Sequence, residues 1–179
     1  MKKTNKKFEI CNTPTKEQIQ EMISLDKSVF LLEDMVSIEK CLNWFNANNQ
    51  IYTALIFEDR VVGYTNFMPI KKTAYKKFKS GKITEQDITS EDIVQFSTRN
   101  YCLFDCIVVK KEFNDGRALF VLYKALMSKL YHLGVKKVKI VMDCVTTLGE
   151  KSAKNLLKAK YVRASKTGKI YKASLNVGN

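Results

Sequence analysis

The sequence predicts an α+β fold in which helices flank a mixed, mostly antiparallel central sheet. Two β-rich runs joined by a short turn occur twice, near residues 51–70 and 161–175, and each pair is typical of a hairpin. Between them, residues 101–144 have the pattern of a strand, a loop, a helix and another strand, which is one βαβ unit. The length of 179 residues and the 45% hydrophobic content predict a single globular domain over residues 1–179.

The N-terminal part predicts a short strand and two helices. The strand candidate is "KKFEICN", and "TPTKEQIQEMISLDKSVF" predicts a helix with Thr13 as N-cap and Pro14 at its first position. A helical period places these positions on one face: Ile19, Met22, Ile23 and the pair Leu25/Asp26. Ser37 is predicted to cap the second helix, "SIEKCLNWFNANN".

The central part predicts a hairpin and an insertion. The hairpin is "QIYTALIFEDRVVGYTNFMPI", which turns at Glu58-Asp59-Arg60. Residues 71–100 are polar, with helix-start signals at Thr84 and Ser90. Apolar residues nevertheless recur within them: Tyr75, Phe78, Ile83, Ile88, Ile93 and Phe96. We therefore expect a helical insertion at about 71–100 that packs over one edge of the sheet and could line a substrate cleft.

The C-terminal half predicts the element most relevant to binding. The run "YCLFDCIVV" reads as a buried strand interrupted by Asp105. An amphipathic helix follows and ends at Gly134, with its stripe at Leu119, Leu122, Tyr123, Leu126, Leu130 and Leu133. The strand "VKKVKIVMDCV", the helix "LGEKSAKNLLKAK" and a terminal hairpin complete the chain. We expect a binding crevice at the carboxyl end of the strand at 101–109.

Composition disfavours several classes of protein. The net charge of +13 could mark a basic binding face, but lysines dominate and are scattered, which favours the composition of an AT-rich genome. Without an aromatic-basic stripe, nucleic acid is disfavoured as a partner. No apolar stretch approaches the roughly 18 residues that span a bilayer, and the N-terminus lacks a signal-peptide core, so we expect no membrane association and a cytoplasmic protein.

Cysteine and histidine usage restricts the chemistry. The five cysteines form no C-x-x-C pair, which disfavours both a disulfide framework and a zinc site, so no metal is predicted. The single histidine, His132, lies near a predicted helix end and is interpreted as structural. A covalent mechanism through Cys144 is disfavoured because only one histidine could activate it.

The stretch "KKEFNDGRALF" occupies the loop between the buried strand and the amphipathic helix. Backbone N–H groups at a helix N-terminus can hold a pyrophosphate, and the small residues Gly116 and Ala118 permit its close approach. Arg117 could add a charge-assisted contact. The alternative is an ordinary turn that caps the helix through Asn114 or Asp115.

This loop and the order of elements around it resemble the GNAT superfamily of N-acetyltransferases over nearly the whole chain. The family loop pattern is Q/R-x-x-G-x-G/A, and "FNDGRA" matches it imperfectly, with Phe113 at the Q/R position; a second placement puts Asn114 there. The resemblance implies a GNAT-like fold, acetyl-CoA as co-substrate and transfer of its acetyl group to a primary amine by direct attack. It implies coenzyme contacts from Ile107, Val108, Val109, Asn114, Asp115, Gly116, Arg117, Ala118 and Leu119.

Asp105 is the candidate catalytic base. It is the one carboxylate in an apolar strand, where burial should raise its pKa toward a useful value. The alternative is a structural aspartate bonded to neighbouring backbone. The tyrosine that serves as general acid in many relatives is replaced by Leu156, which leaves Ser152, Tyr161 or water for that role.

Several alternatives stay open at this stage. Trp44, Phe45 and Tyr52 could shape an acceptor pocket or simply belong to the core, and Glu112 at the loop mouth is expected to be solvated. The degenerate loop also allows a second function, a catalytically weak acyl-CoA-binding or regulatory module. Acetyl-CoA and an amine acceptor are the expected partners, and a homodimer is one option for the oligomeric state.

Overall fold

The computed structural model describes residues 7–30, 35–114 and 116–178. Its strands are β1 (Glu9–Cys11), β2 (Tyr52–Phe57), β3 (Arg60–Pro69), β4 (Arg99–Val109), β5 (Lys137–Cys144), β6 (Lys160–Ala164) and β7 (Lys169–Asn176). Its α-helices are α1 (Lys16–Asp26), α2 (Ile38–Ala47), α3 (Lys72–Ser80), α4 (Arg117–His132) and α5 (Thr147–Leu157). Short 3₁₀ helices cover Glu85–Asp87, Ser90–Asp92 and Lys111–Phe113.

The seven strands form one sheet in the order β1-β2-β3-β4-β5-β7-β6. Every neighbouring pair is antiparallel except β4 and β5, which α4 connects as a parallel βαβ unit. The predicted α+β class, with a mixed and mostly antiparallel sheet, is confirmed. The βαβ unit predicted over 101–144 is also present.

Helices cover both faces of the sheet. On one face, side chains of α1, α2 and α3 pack with Leu103, Val141 and Ile170. On the other, α4 and α5 pack against the alternate residues of β5, among them Val138 and Ile140. Successive side chains of a strand point to opposite faces, so β5 contributes to both cores and is buried between them.

The caps of the first two helices follow from local hydrogen bonds. Thr15 accepts from the Gln18 backbone N–H at 3.3 Å, and the Gln18 side chain accepts from the Thr15 N–H at 3.0 Å. This reciprocal pair satisfies two N-terminal donors and starts α1 at Lys16. The predicted start at Thr13 and Pro14 was therefore wrong by two residues. Ser37 caps α2 as predicted, because its hydroxyl accepts from the Lys40 N–H at 3.2 Å.

The insertion at 71–100 consists of α3 and two 3₁₀ helices, and it covers a face of the sheet instead of the predicted edge. Side chains of α3 pack against β4, β5 and β7. The Trp44 indole donates to the Ile88 carbonyl at 3.1 Å and ties the insertion to α2. Thr84 caps the first 3₁₀ helix as predicted, whereas the second is capped by Thr89 instead of Ser90.

Strands β4 and β5 separate halfway along their length. Their parallel pairing ends at Leu103 and Val141, while β4 continues alongside β3 as far as Val109. Within the β3–β4 pairing, Asn66 opposes Cys106 but Phe67 opposes Phe104. Asp105 is therefore the extra residue of a β-bulge, a feature that bends a strand and redirects a side chain. The sheet opens at this point into a cleft.

The cysteines and the single histidine were the residue types that restricted the possible chemistry. All five cysteines are free thiols, and three of them are buried. His132 is exposed at the end of α4, where its Nδ1 lies 2.7 Å from the Ser128 carbonyl. Among the described residues, no group of His, Cys, Asp and Glu side chains has the arrangement of a metal site. None of the helices described is long and apolar enough to cross a membrane.

Candidate active site

A cavity of about 140 Å³ lies where β4 and β5 separate, and we call it the inter-strand cleft. Its walls are the end of β4, the end of β5, and the facing sides of α4 and α5. The helices contribute mostly apolar side chains: Leu119, Tyr123, Leu148, Ala153, Leu156 and Leu157. The cleft is thus a narrow, apolar slot that exposes strand backbone on one side.

The edge of β4 that faces the cleft carries unpaired backbone groups. The Lys110 N–H donates to the Val62 carbonyl of β3 at 2.8 Å. Since hydrogen-bonding directions alternate along a strand, the N–H groups of Ile107 and Val109 point away from β3 and into the cleft. These N–H groups are available to a ligand that enters as an extra strand, a binding mode that uses main-chain hydrogen bonds.

The loop after β4 ends at Gly116, which is the N-cap of α4 with a φ of +83°. A side chain at this position would be strained by the backbone conformation, although its Cβ would have no other atom within 4 Å. The space above Gly116 is therefore open. It lies at the positive end of the α4 dipole, beside the unpaired N–H groups of the first turn.

The predicted coenzyme contacts divide into three groups. Residues that line the inter-strand cleft are Ile107, Val108, Val109, Asn114 and Leu119, although the Val108 side chain packs in the core on the opposite face. Ala118 is fully buried against Phe113 and Leu122, so only its backbone faces the loop. The Arg117 guanidinium lies 5.9 Å from the centre of the Phe8 ring, and Asp115 lies outside the described residues.

A second cavity of about 660 Å³ lies on the opposite face of the sheet, beneath α1 and the insertion. We call it the acidic cavity, because four carboxylates from four different elements line it: Asp26, Glu85, Asp105 and Asp143. Apolar and aromatic side chains form most of the remaining wall, including Ile23, Phe30, Tyr52, Tyr64, Phe78 and Ile83. Arg163 and Lys166, both exposed, lie at its rim.

The two cavities meet at the bulge of β4. Five residues line both of them: Phe30, Asp105, Cys106, Asp143 and Val145. The bulge therefore places Asp105 where the inter-strand cleft and the acidic cavity adjoin. A group bound in one cavity would meet a group bound in the other at this residue.

The environment of Asp105 favours a proton acceptor near neutral pH. Its Oδ2 accepts from the Asn66 amide at 3.0 Å, not from neighbouring backbone. Burial raises the pKa of Asp105 from 3.8 to about 6, while hydrogen bonds with Glu85 and Asn66 oppose the rise. Burial and the charge of Asp105 also raise the pKa of Glu85 well above its ordinary value.

Asp26 completes the cluster from the C-terminal end of α1. The Tyr64 hydroxyl donates to its Oδ1 at 2.6 Å. Burial raises the pKa of Asp26 from 3.8 to about 7, the hydrogen bond from Tyr64 opposes the rise, and the charge of Asp105 adds to it. At neutral pH the cavity therefore holds carboxylates that compete for ionisation, which a cationic ligand would relieve.

The cysteines beside the cleft are poor nucleophiles. Cys144 lines the inter-strand cleft, and burial raises the pKa of its thiol from 9.0 to about 12. Cys106 lines both cavities, and burial raises the pKa of its thiol well above 9.0. Because the thiolate is the reactive form, both thiols are inert near neutral pH.

The candidate proton donors for a leaving group differ in position. Ser152 and Leu156 of α5 line the inter-strand cleft. Tyr161 is 55% exposed and packs its ring edge against Tyr171, outside the cleft lining. Tyr123 also lines the cleft, where its hydroxyl donates to the Leu156 carbonyl at 3.2 Å.

The aromatic and acidic residues singled out from the sequence lie in different parts of the structure. Trp44 is fully buried and belongs to the core, while Tyr52 contributes to the wall of the acidic cavity. Glu112 is exposed beside the loop. Sequence reasoning missed the roles of Asp26 and Glu85. Asp26 did carry a signal, because it is a carboxylate in the apolar stripe of α1.

Solved structures match this chain over nearly its full length. The loading GNATL domain of CurA from Lyngbya majuscula has a TM-score of 0.68 at 14% identity, covering 96% of this chain and 98% of that chain. Ard1 from Thermoplasma volcanium has a TM-score of 0.64 at 11% identity, covering 96% and 99%. The PaiA N-acetyltransferase from Thermoplasma acidophilum, solved with coenzyme A, has a TM-score of 0.58 at 11% identity, covering 94% and 99%.

The chain therefore has the GNAT fold, the fold of a class of acetyltransferases. The fold that the resemblance implied is confirmed. At the sequence level there is no corresponding match, since neither the protein-family models nor the curated proteins that were compared match this chain.

Proposed function

We propose that this protein is an acetyl-CoA-dependent N-acetyltransferase that transfers an acetyl group to a primary amine by direct attack. One observation carries the proposal: the inter-strand cleft and the acidic cavity meet around the bulge of β4, where Asp105 lines both. A two-substrate transfer needs two chambers that open onto one reacting point. GNAT-fold proteins solved with coenzyme A support the identity of the first substrate.

The residues around the inter-strand cleft fit acetyl-CoA. The N–H groups of Ile107 and Val109 can pair with the amide groups of the pantetheine arm, and the apolar walls suit its methylene groups. The open space above Gly116 and the N-terminus of α4 suit the pyrophosphate. When bound, acetyl-CoA supplies the activated thioester.

Asp105 acts as the base. It removes a proton from the acceptor ammonium, and the resulting amine nitrogen forms a bond to the acetyl carbon. A β4 N–H group polarises the acetyl carbonyl as negative charge develops on its oxygen. The C–S bond then breaks, and the thiolate takes a proton from Ser152 or from water. The attacking nitrogen gives its second proton back to that donor or to water, so that a neutral amide and free coenzyme A result. The raised pKa values of Cys106 and Cys144 support direct attack over a cysteine-bound acetyl group.

A second function, a catalytically weak acyl-CoA-binding or regulatory module, is favoured by one feature. Leu156 lines the cleft at the position where the resemblance implies a tyrosine that acts as general acid. A module of this kind would bind the coenzyme without turnover. Coenzyme binding and amine acetylation therefore have to be measured separately.

Two measurements test the proposal. Acetyl-CoA should raise the melting temperature of the protein saturably, because a ligand that binds only the folded state stabilises it. Release of free coenzyme A over a panel of primary amines should exceed the rate without amine. No thermal shift at millimolar acetyl-CoA would contradict the proposal, whereas a shift with background turnover for every amine would support the regulatory module.

A further inference from the structure

The acidic cavity has a charge opposite to that of the protein around it. The chain carries a net charge of +13, yet Asp26, Glu85 and Asp105 approach one another closely enough for each to influence another's ionisation. They come from α1, from the 3₁₀ helix Glu85–Asp87 and from β4. A fold that brings three carboxylates together from separate elements accepts their mutual repulsion, which is destabilising.

No described ion pair includes Asp26, Glu85 or Asp105. The described ion pairs join Arg60 to Glu21, and Lys154 and Lys169 to Glu150. Asp26 and Asp105 are instead hydrogen-bonded by neutral donors, Tyr64 and Asn66. Arg163 and Lys166 lie at the rim of the same cavity, so a cationic ligand could form direct ion pairs with these three carboxylates in the interior.

Asn66 provides an independent sign of a missing ligand. It is only 1% exposed and lines the acidic cavity. Its Nδ2 donates to Asp105, which fixes the orientation of the amide. Its Oδ1 atom then has no hydrogen-bond donor among the described residues. Because a buried acceptor without a donor is destabilising, this oxygen is suited to an incoming N–H group.

The size and walls of the cavity define what kind of cation fits. A volume of about 660 Å³ lies within the range of small-molecule sites. The aromatic residues Phe30, Tyr52, Tyr64 and Phe78 line the same cavity as the acids. No described group of side chains has the arrangement of a metal site. An organic cation with apolar spacers between its charges therefore fits better than a metal ion.

We propose that the acidic cavity selects an acceptor that carries at least two ammonium groups separated by methylene spacers. The inference rests on the proposed acetyltransferase function. Asp105 receives the ammonium group that is acetylated, while Asp26 and Glu85 bind the second one. Asn66 Oδ1 accepts a hydrogen bond from the acceptor. A monoamine of equal length would leave Asp26 and Glu85 without a cationic partner.

Calorimetric titration without coenzyme tests this specificity independently of catalysis. Putrescine and butylamine have the same carbon chain and differ in one amino group. We expect putrescine to bind at least about tenfold more tightly, because a second ion pair forms in a half-buried site. The ratio of kcat/KM values for the two amines should show the same preference. Equal affinity for both amines would overturn the proposal.

Three variants locate the preference. Asp26→Asn and Glu85→Gln should each reduce the putrescine-to-butylamine ratio by about threefold or more, as one carboxylate is lost. Glu91→Gln makes the same chemical change on an exposed residue of the neighbouring 3₁₀ helix, so its ratio should equal that of the wild type. Melting curves establish that each variant is folded. A ratio unchanged in both cavity variants would also overturn the proposal.

The outcomes separate the two proposals. If putrescine binds selectively but no amine is acetylated, the proposed function fails and the cation site stands. If butylamine is acetylated as efficiently as putrescine, the acetyltransferase function stands and the specificity fails.

Discussion

The ionised Asp26 carboxylate lowers the stability of the folded protein. Burial and the charge of Asp105 raise its pKa to about 7. The unfolded chain ionises this carboxyl near 3.8, so the folded state binds the extra proton between these two values. The stability that this proton provides is complete below pH 3.8 and is lost as the pH rises through 7. At a pH of about 8 the ionised group therefore destabilises the fold.

Replacing Asp26 by asparagine should remove that cost. We expect Asp26→Asn to raise the free energy of unfolding at a pH of about 8 by about 2 kcal/mol. Raising a pKa from 3.8 to about 7 corresponds to roughly 4 kcal/mol, and we expect less because solvent reaches the cavity. The gain should vanish near a pH of about 4. Denaturant unfolding at both pH values measures it. Asp59→Asn, in the exposed β2–β3 turn, is the control and should show no such pH dependence; a pH-independent gain in Asp26→Asn would contradict the assignment.

Lys129 is a buried cation with a structural task. It is 5% exposed, and its ammonium donates to the Tyr52 carbonyl at 2.7 Å and to the Asn12 carbonyl at 3.2 Å. Burial lowers its pKa from 10.5 to about 8. The contacts link α4 to the beginning of β2 and so hold the sheet against the helix that forms one wall of the inter-strand cleft.

Loss of this link should destabilise the protein. Lys129→Met leaves two backbone carbonyls without their donor, so we expect the free energy of unfolding at neutral pH to fall by about 1–3 kcal/mol. The matched variant Lys124→Met, on the exposed side of α4, should change it by less than about 0.5 kcal/mol. Chemical denaturation compares the two. Equal stability of both variants would show that the Lys129 contacts contribute little.

Single residues were predictable where their type conflicted with their surroundings. Asp105 stood out because one carboxylate interrupted an apolar strand, and Asp26 carried the same signal in the stripe of α1. Glu85 gave no such signal, since an acid in a first helical turn is ordinary. Its role arises only when the insertion folds over the sheet, which no local pattern specifies.

At the scale of elements, the loop and the first turn of α4 carry the proposed phosphate site. Gly116 and Gly134 flank α4, both have a positive φ, and neither has another atom within 4 Å of where a Cβ would lie. A side chain at either glycine thus carries a similar backbone cost, on the order of 1 kcal/mol. Gly116 lies between Asn114 and Leu119, which line the inter-strand cleft, whereas Gly134 lies beyond the other end of α4, which makes the two glycines a matched pair.

We expect Gly116→Trp to weaken acetyl-CoA binding by at least about tenfold, because the indole would occupy the space assigned to the pyrophosphate. Gly134→Trp should lose a similar amount of stability and bind the coenzyme as the wild type does. Thermal shift and calorimetric titration measure the two effects separately. Wild-type affinity in Gly116→Trp would place the pyrophosphate elsewhere.

The existence of the elements was largely predictable, whereas their details were not. Hairpin patterns, amphipathic stripes and caps predicted the strands and helices in order. Two helices begin at a different hydroxyl residue from the one predicted. Thr15 and Thr89 each have a capping-box partner three residues later, Gln18 and Asp92, whereas Thr13 and Ser90 have none. The bulge at Asp105 depends on the register of β3 against β4, which arises only from long-range pairing.

At the scale of the whole molecule, the sheet separates two environments, and these meet around the bulge of β4, where five residues line both cavities. The face covered by α4 and α5 bears an apolar slot, and the face covered by α1, α2 and the insertion bears a carboxylate-rich chamber. The order of elements resembles that of the GNAT superfamily, and the fold was expected on that resemblance. The acidic cavity was not predictable, since its carboxylates come from distant parts of the chain.

The central claim is that Asp105, at the junction of the two cavities, is the base for acetyl transfer. The most direct measurement is the rate of coenzyme A release with a saturating amine, compared between the wild type and Asp105→Asn, with acetyl-CoA affinity measured alongside. We predict that kcat/KM of the wild type rises with pH through about 6, the pKa of Asp105, and that Asp105→Asn lowers kcat by about 10²–10⁴ while acetyl-CoA affinity is retained. Equal rates and the same pH profile in the two proteins would contradict the claim.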